Sequence, residues 1–246
     1  MAGHSKWKNI QHRKGKQDAL RGKLFTKISR EIIMAAKSGG DPALNARLRS
    51  VLETARVSGV PAENIKRAIQ RGTGEIEGAD YEEITYEGGG PGGSAVIVEC
   101  YSENRNRTVA DLRHAFTKNG CALGENGSVM WQFKYLGEVV LDKTAGDEET
   151  VTMAALEAGA EDVVVEDEVY LVRTESKDLH LVAEGLRAAG MAPKESYLTY
   201  VPTNMATPSE DDMLRLAKLL DVLEELDDVK ETYTNVEIPE SVYEKL

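Results

Sequence analysis

Lys6, Lys8, Arg13, Lys14 and Lys16, with His4, Trp7 and His12 between them, are the densest chemistry-bearing cluster in a sequence of 246 residues. Lysine and arginine neutralise phosphates and release condensed counterions. An indole offers a flat face on which an unpaired base can stack. The chemistry this cluster suggests is recognition of a polyanion, not the making or breaking of bonds. The basic run continues through Arg21, Lys23, Lys27 and Arg30. The first 37 residues hold ten Lys or Arg against Asp18 and Glu31, a net +8 in a chain whose total is −12. A cationic arm on an acidic protein points to nucleic acid. Two plainer readings stay open: the run can be a solvated face, and Trp7 can plug a hydrophobic gap as well as stack on a base.

Two further basic sets stand apart from the arm. Lys66, Arg67 and Arg71, with Gln70 between them, fall on one side of a helix opened by Pro61 and extend the predicted nucleic-acid surface. Arg105 and Arg107 sit at the start of another helix, where the dipole disfavours cations unless an anion is present. They can contact a phosphate or an acidic partner, or pair with Glu103 or another local carboxylate.

Catalytic patterns are missing from the sequence. The four histidines, His4, His12, His114 and His180, lack HExxH or Cys/His metal spacing. There is no phosphate-binding GxxxxGK[ST] and no GxSxG. Gly88, Gly90 and Gly93 fit GxGxxG formally, but a strand follows instead of a helix and Pro91 removes a donor, so a glycine-rich hairpin or hinge is expected. Glu224-Glu225 and Asp227-Asp228 read as solvated charge at a helix end. Cys100 and Cys121 lack CxxC spacing and are expected as reduced thiols. No apolar run approaches the ~20 residues that span a bilayer. The expectation is a cytoplasmic, non-enzymatic protein without metal or cofactor, with a monomer the simplest state.

The elements that must carry these residues follow from periodicity. Leu20, Leu24, Ile28, Ile32 and Ala36 recur every four residues, the stripe of one helix. Asp41-Pro42 reads as cap and first residue of a second, and Pro61 opens a third, so residues 1–76 form a basic helical domain. Through position 75 there are sixteen basic and six acidic residues, a net +10, which leaves −22 for the rest. Val57 to Val60 has the length of a helix–turn–helix turn, equally that of any helical hairpin. Strands are expected at Glu83–Tyr86 and Ala95–Tyr101, a helix entered by Thr108 and Asp111, and a strand through GENGSVMWQFK with Trp131 in the core. Val139 to Val201 then reads as βαββαβ, the ferredoxin-like order. A helix entered by Ser209 and Asp212 and a strand near Val229–Val236 close the chain. The predicted architecture is α+β in three domains: the three-helix bundle at 1–76, a discontinuous α/β middle domain at 79–134 plus 203–246, and an inserted ferredoxin-like domain at 135–202.

The segments MAGHSKW, HRK, QDALRGKLFTK, GGDP, YEGGGPGG, ENRNRT, DLRHAF and ALEAGAEDV together resemble the YebC/PmpR family over nearly the whole chain. The resemblance implies a DNA-binding transcriptional regulator, as bacterial members are described. Mitochondrial relatives activate translation of cytochrome oxidase subunits, which implies the alternative: a ribosome-associated, RNA-binding translation factor that activates synthesis or relieves stalling. Either way the partner is DNA or ribosomal RNA, met by the arm and the helical domain. The −22 remainder turns away from the polyanion or meets basic ribosomal proteins.

Overall fold

The computed structural model describes residues 21–246. These fall into two compact units: one from Trp131–Met205, the other from residues 21–130 together with Ala206–Leu246. The fold is α+β.

The second unit starts with three helices. Helix α1 spans Arg21–Ala36, and its predicted stripe turns inward: Ile28, Ile32 and Ala36 are buried, and Leu24 packs at the edge. Helix α2 spans Ala46–Val57, later than the predicted start at Asp41-Pro42. Asn45 decides this boundary. Its Oδ1 accepts the Leu48 N–H at 3.0 Å, while its Nδ2 donates to the carbonyls of Ala35 and Gly39 at 2.8 and 2.7 Å. One buried amide thus caps α2 and ties off the end of α1. Asp41 caps only a short turn, accepting from the Ala43 N–H. Helix α3, Ala62–Gly72, follows Pro61. Its last residue must be small, since a Cβ on Gly72 would strike the Ile33 carbonyl and the Ala36 side chain.

Strands β1 (Glu82–Gly89) and β2 (Ala95–Ser102) form the hairpin around the glycine-rich stretch, in register from Glu82 opposite Ser102 to Gly89 opposite Ala95. The turn uses Gly92 and Gly93 at φ +63° and +76°, a region that favours glycine. Helix α4 spans Arg105–Lys118, four residues earlier than a start capped by Thr108 with Asp111, because Asn104 is the cap and accepts the Arg107 N–H at 3.1 Å. The short strand β3 is Ala122–Leu123. No strand runs through 124–131. Trp131 lies in a 3-10 turn and is 68% exposed, which corrects its predicted core position. The cause is Glu87 on β1. Its buried carboxylate accepts the N–H groups of Gly127, Val129 and Met130 at 2.6–2.8 Å, so these donors are not available to a strand ladder.

The first unit is the predicted βαββαβ: β4 (Phe133–Asp142), α5 (Glu148–Glu157), β5 (Asp162–Val165), β6 (Val169–Glu175), α6 (Leu179–Ala188) and β7 (Glu195–Pro202). The strand order β5-β6-β4-β7, antiparallel throughout, is ferredoxin-like. Val139, Leu141 and Val172 pack on Val151, Val182 and Leu186 of the helices.

Helix α7 (Glu210–Glu225), strand β8 (Val229–Thr234) and helix α8 (Glu240–Tyr243) return to the other unit. Ser209 caps α7 as predicted, accepting the Asp212 N–H. Strand β8 completes the antiparallel sheet β3-β1-β2-β8. Its core joins Val96 and Val98 of β2 to Leu112 and Phe116 of α4 and to Leu216, Leu219 and Leu223 of α7.

Candidate nucleic-acid interface

Helix α7 ends with carbonyls that no further turn satisfies, at the negative end of its dipole. Three cations of α1 occupy that end. Lys23 Nζ donates to the Glu225 carbonyl at 3.3 Å and Lys27 Nζ to the Glu224 carbonyl at 2.6 Å. Arg30 donates to the Asp227 carbonyl and, at 3.0 Å, to the Asp228 carboxylate. The spacing 23, 27, 30 places the three on one face of the helix. That face is turned to the α7 end, where Lys27 and Arg30 are half-buried and Lys23 stays exposed.

Asp228 is the centre of this arrangement and corrects its reading as solvated charge. It is 7% exposed. Its carboxylate also accepts from Arg107 at 3.1 Å and from the Thr108 hydroxyl at 2.7 Å, and its carbonyl accepts the Tyr101 N–H at 2.8 Å. Arg107 further pairs with Glu103 at 3.2 Å, and Arg105 with Glu82 at 2.6 Å. Of the two roles open to Arg105 and Arg107, the structure displays the pairing with the chain's own carboxylates.

A neighbouring network joins the helices to the sheet. Arg47 donates to Glu83 at 3.2 Å and to the Tyr101 hydroxyl at 2.9 Å. Lys230 pairs with Glu83 and Glu99, each at 3.2 Å, and the Tyr233 hydroxyl donates to Glu99 at 2.8 Å. Burial opposes charge on both Glu83 and Lys230. Even so, Lys230 and Arg47 hold the Glu83 carboxyl below its ordinary value, and Tyr101, Glu99 and Glu83 hold the Lys230 ammonium above its own. Burial pushes the Tyr101 hydroxyl and the Cys100 thiol each up to about 12.

Helix α3 behaves differently. Ile65, Ala68 and Ile69 pack toward the core of the bundle, while Lys66, Arg67 and Arg71 are exposed. None of the three forms an ion pair with a described residue. Arg49 and Arg56 of α2 are likewise exposed and outside any ion pair among the described residues. Sequence reading passed over this pair; its signal is the seven-residue spacing, which brings both to one helix face. Arg21 opens α1. Lys6, Trp7, Lys8, Arg13, Lys14 and Lys16 lie outside the described residues. Both α2 and α3 therefore present open cations among the described residues. Among the described residues no group of His, Cys, Asp and Glu is placed to hold a metal ion, and no helix is long and apolar enough to cross a membrane.

Two family models match: "TACO1/YebC protein N-terminal domain" over residues 5–75 and "TACO1/YebC second and third domain" over 81–236. A "Probable transcriptional regulatory protein" of Persephonella marina is 51% identical over 249 residues and covers all of both chains. One of the same description from Thiobacillus denitrificans is 50% identical, over 98% of this chain and 100% of its own. The crystal structure of a conserved hypothetical protein from Aquifex aeolicus superposes with a TM-score of 0.80 at 42% identity, over 90% of this chain and 92% of that one.

Proposed function

The chain belongs to the TACO1/YebC family, and on that footing we propose that it is a cytoplasmic, non-enzymatic regulator of transcription that binds DNA through its basic N-terminal region. The relatives' description supports the regulatory role. The observation that carries the binding is Lys66, Arg67 and Arg71, exposed on α3 and outside any ion pair among the described residues. Cations in that state meet phosphates without first breaking a contact inside the protein. The acidic remainder of the chain repels the duplex and orients the basic face toward it.

The test is fluorescence anisotropy with duplex DNA across a salt series, on the full chain and on Lys66→Gln/Arg67→Gln/Arg71→Gln. Three lost phosphate contacts lower the slope of log affinity against log salt by about 2.7, at roughly 0.9 per contact. An unchanged affinity and slope would rule out this face as the binding surface. Binding of structured ribosomal RNA with none of duplex DNA would move the regulation from transcription to translation.

A further inference from the structure

The outer face of α2 carries a groove of about 270 Å³, lined by Pro42, Ala43, Arg49, Leu52, Glu53 and Arg56. Ligand pockets for drug-sized molecules start at roughly 300 Å³, so this one is sized for a single planar ring system. Residues 49, 52, 53 and 56 follow helical spacing and share one face of the helix. Leu52 is buried and fixes the floor, while Arg49, Glu53 and Arg56 are exposed.

Charge and shape in this groove do not cancel internally. Arg49–Glu53 and Glu53–Arg56 stand at the four- and three-residue spacings where helical ion pairs form, yet neither pair is joined among the described residues. Arg49 instead donates to the Ala43 carbonyl at 3.4 Å, at the start of the turn that borders the groove. The result is an apolar floor flanked by two guanidinium groups, with a carboxylate whose lone pairs take no ion-pair partner from the described chain.

We propose that this groove takes one unpaired guanine nucleotide of a bound nucleic acid, an inference that rests on the nucleic-acid-binding reading above. The base lies over Leu52 and Pro42 and beneath a guanidinium plane, as bases do on arginine. The second arginine meets the adjoining phosphate. Glu53 gives the selectivity. A carboxylate only accepts hydrogen bonds, and guanine is the base whose Watson–Crick edge presents two adjacent donors, N1–H and N2–H, for its two oxygens. Adenine and cytosine offer one amino donor beside an acceptor that a carboxylate repels, and uracil offers a single N–H between two carbonyls.

The test uses the full chain and five-nucleotide single strands that differ only in the central base, in ribo and deoxy forms, read by fluorescence anisotropy. The guanine-centred strand binds about tenfold more tightly than the others, as one bidentate pair allows. Glu53→Gln turns one acceptor into a donor and abolishes that preference, while the loss of a negative charge beside the phosphates tightens binding of the non-guanine strands. Arg49→Ala/Arg56→Ala lowers affinity for all strands, most for guanine. A wild-type chain indifferent to the central base, or a guanine preference that survives Glu53→Gln, overturns the assignment while binding itself stands. No binding of any strand or of duplex removes both this site and the reading beneath it. All three residues are exposed, and far-ultraviolet circular dichroism matching the wild type certifies each variant.

Discussion

Helix α1 turns Lys23, Lys27 and Arg30 toward the carboxyl end of α7, whereas helix α3 leaves Lys66, Arg67 and Arg71 in solvent. Both helices bury an apolar stripe in the same bundle core. What separates them is what faces the opposite side. Under α1 lie unsatisfied carbonyls and the Asp228 carboxylate, which give a cation most of what a phosphate would offer. At α3 no described residue pairs with the three cations. A phosphate at α1 has to displace existing hydrogen bonds; at α3 it only displaces counterions. Counting basic residues therefore overstates an interface: part of the cationic set holds the fold together, and part is open to a partner.

The largest effect is expected at the centre of the α1 contact. Asp228→Ala leaves Arg30 half of a buried pair and strips partners from Arg107 and Thr108. Removing one member of such a pair costs about 3–5 kcal/mol, read as a lower midpoint in urea or guanidinium unfolding. A loss under about 1 kcal/mol would mean that α1 rests on α7 by apolar packing alone.

Next in size is a loss of stability at high pH from the network beside it. Tyr101 and Cys100 have folded-state values of about 12 against ordinary values of 10.0 and 9.0, and Lys230 is raised above 10.5. A raised value means that the folded state holds its proton longer. The contribution is complete below the unfolded value and is lost as pH rises through the folded one. Stability is thus expected to fall from about pH 9 toward pH 12, with Tyr101 alone accounting for about 3 kcal/mol. Tyr101→Phe removes that titration, so its alkaline limb is shallower by a similar amount; an identical limb in both chains would place the loss elsewhere.

Periodicity and turn chemistry made most of the fold legible. The stripe Ile28, Ile32, Ala36 and the order βαββαβ were both readable because side-chain burial repeats at the period of its element. Boundaries failed where a side chain bonded across the fold. Asn45 moved the start of α2, Asn104 moved that of α4, and Glu87 took the donors of residues 127, 129 and 130 that a strand would have used. The same cause hid part of the site. Asp228 belongs to an acidic run that looks solvated, and only the distant Arg30 and Arg107 make it a buried hub. Local pattern carries no record of partners that lie 121 or 198 positions away. Arg49 and Arg56 were overlooked for a different reason: each is an ordinary exposed arginine until the groove between them is seen.

The smallest effect is the one that most sharply divides α1 from α3. Lys23→Gln/Lys27→Gln removes two cations from carbonyls at a helix end, worth roughly 0.3–1 kcal/mol each, so the chain is slightly destabilised. Its affinity for duplex DNA is expected to stay within about twofold, since a change of one phosphate contact in the salt slope is already resolvable. The α3 triple variant is the mirror image: unfolding unchanged to within about 0.5 kcal/mol, as for surface substitutions generally, but weaker binding and a lower salt slope. Both variants are run side by side in the two assays. If the α1 pair lost as much affinity as the α3 triple, the row at 23, 27 and 30 would have to leave α7 when nucleic acid binds, and Asp228→Asn, which loosens its hold on Arg30, would then raise affinity instead of leaving it unaltered.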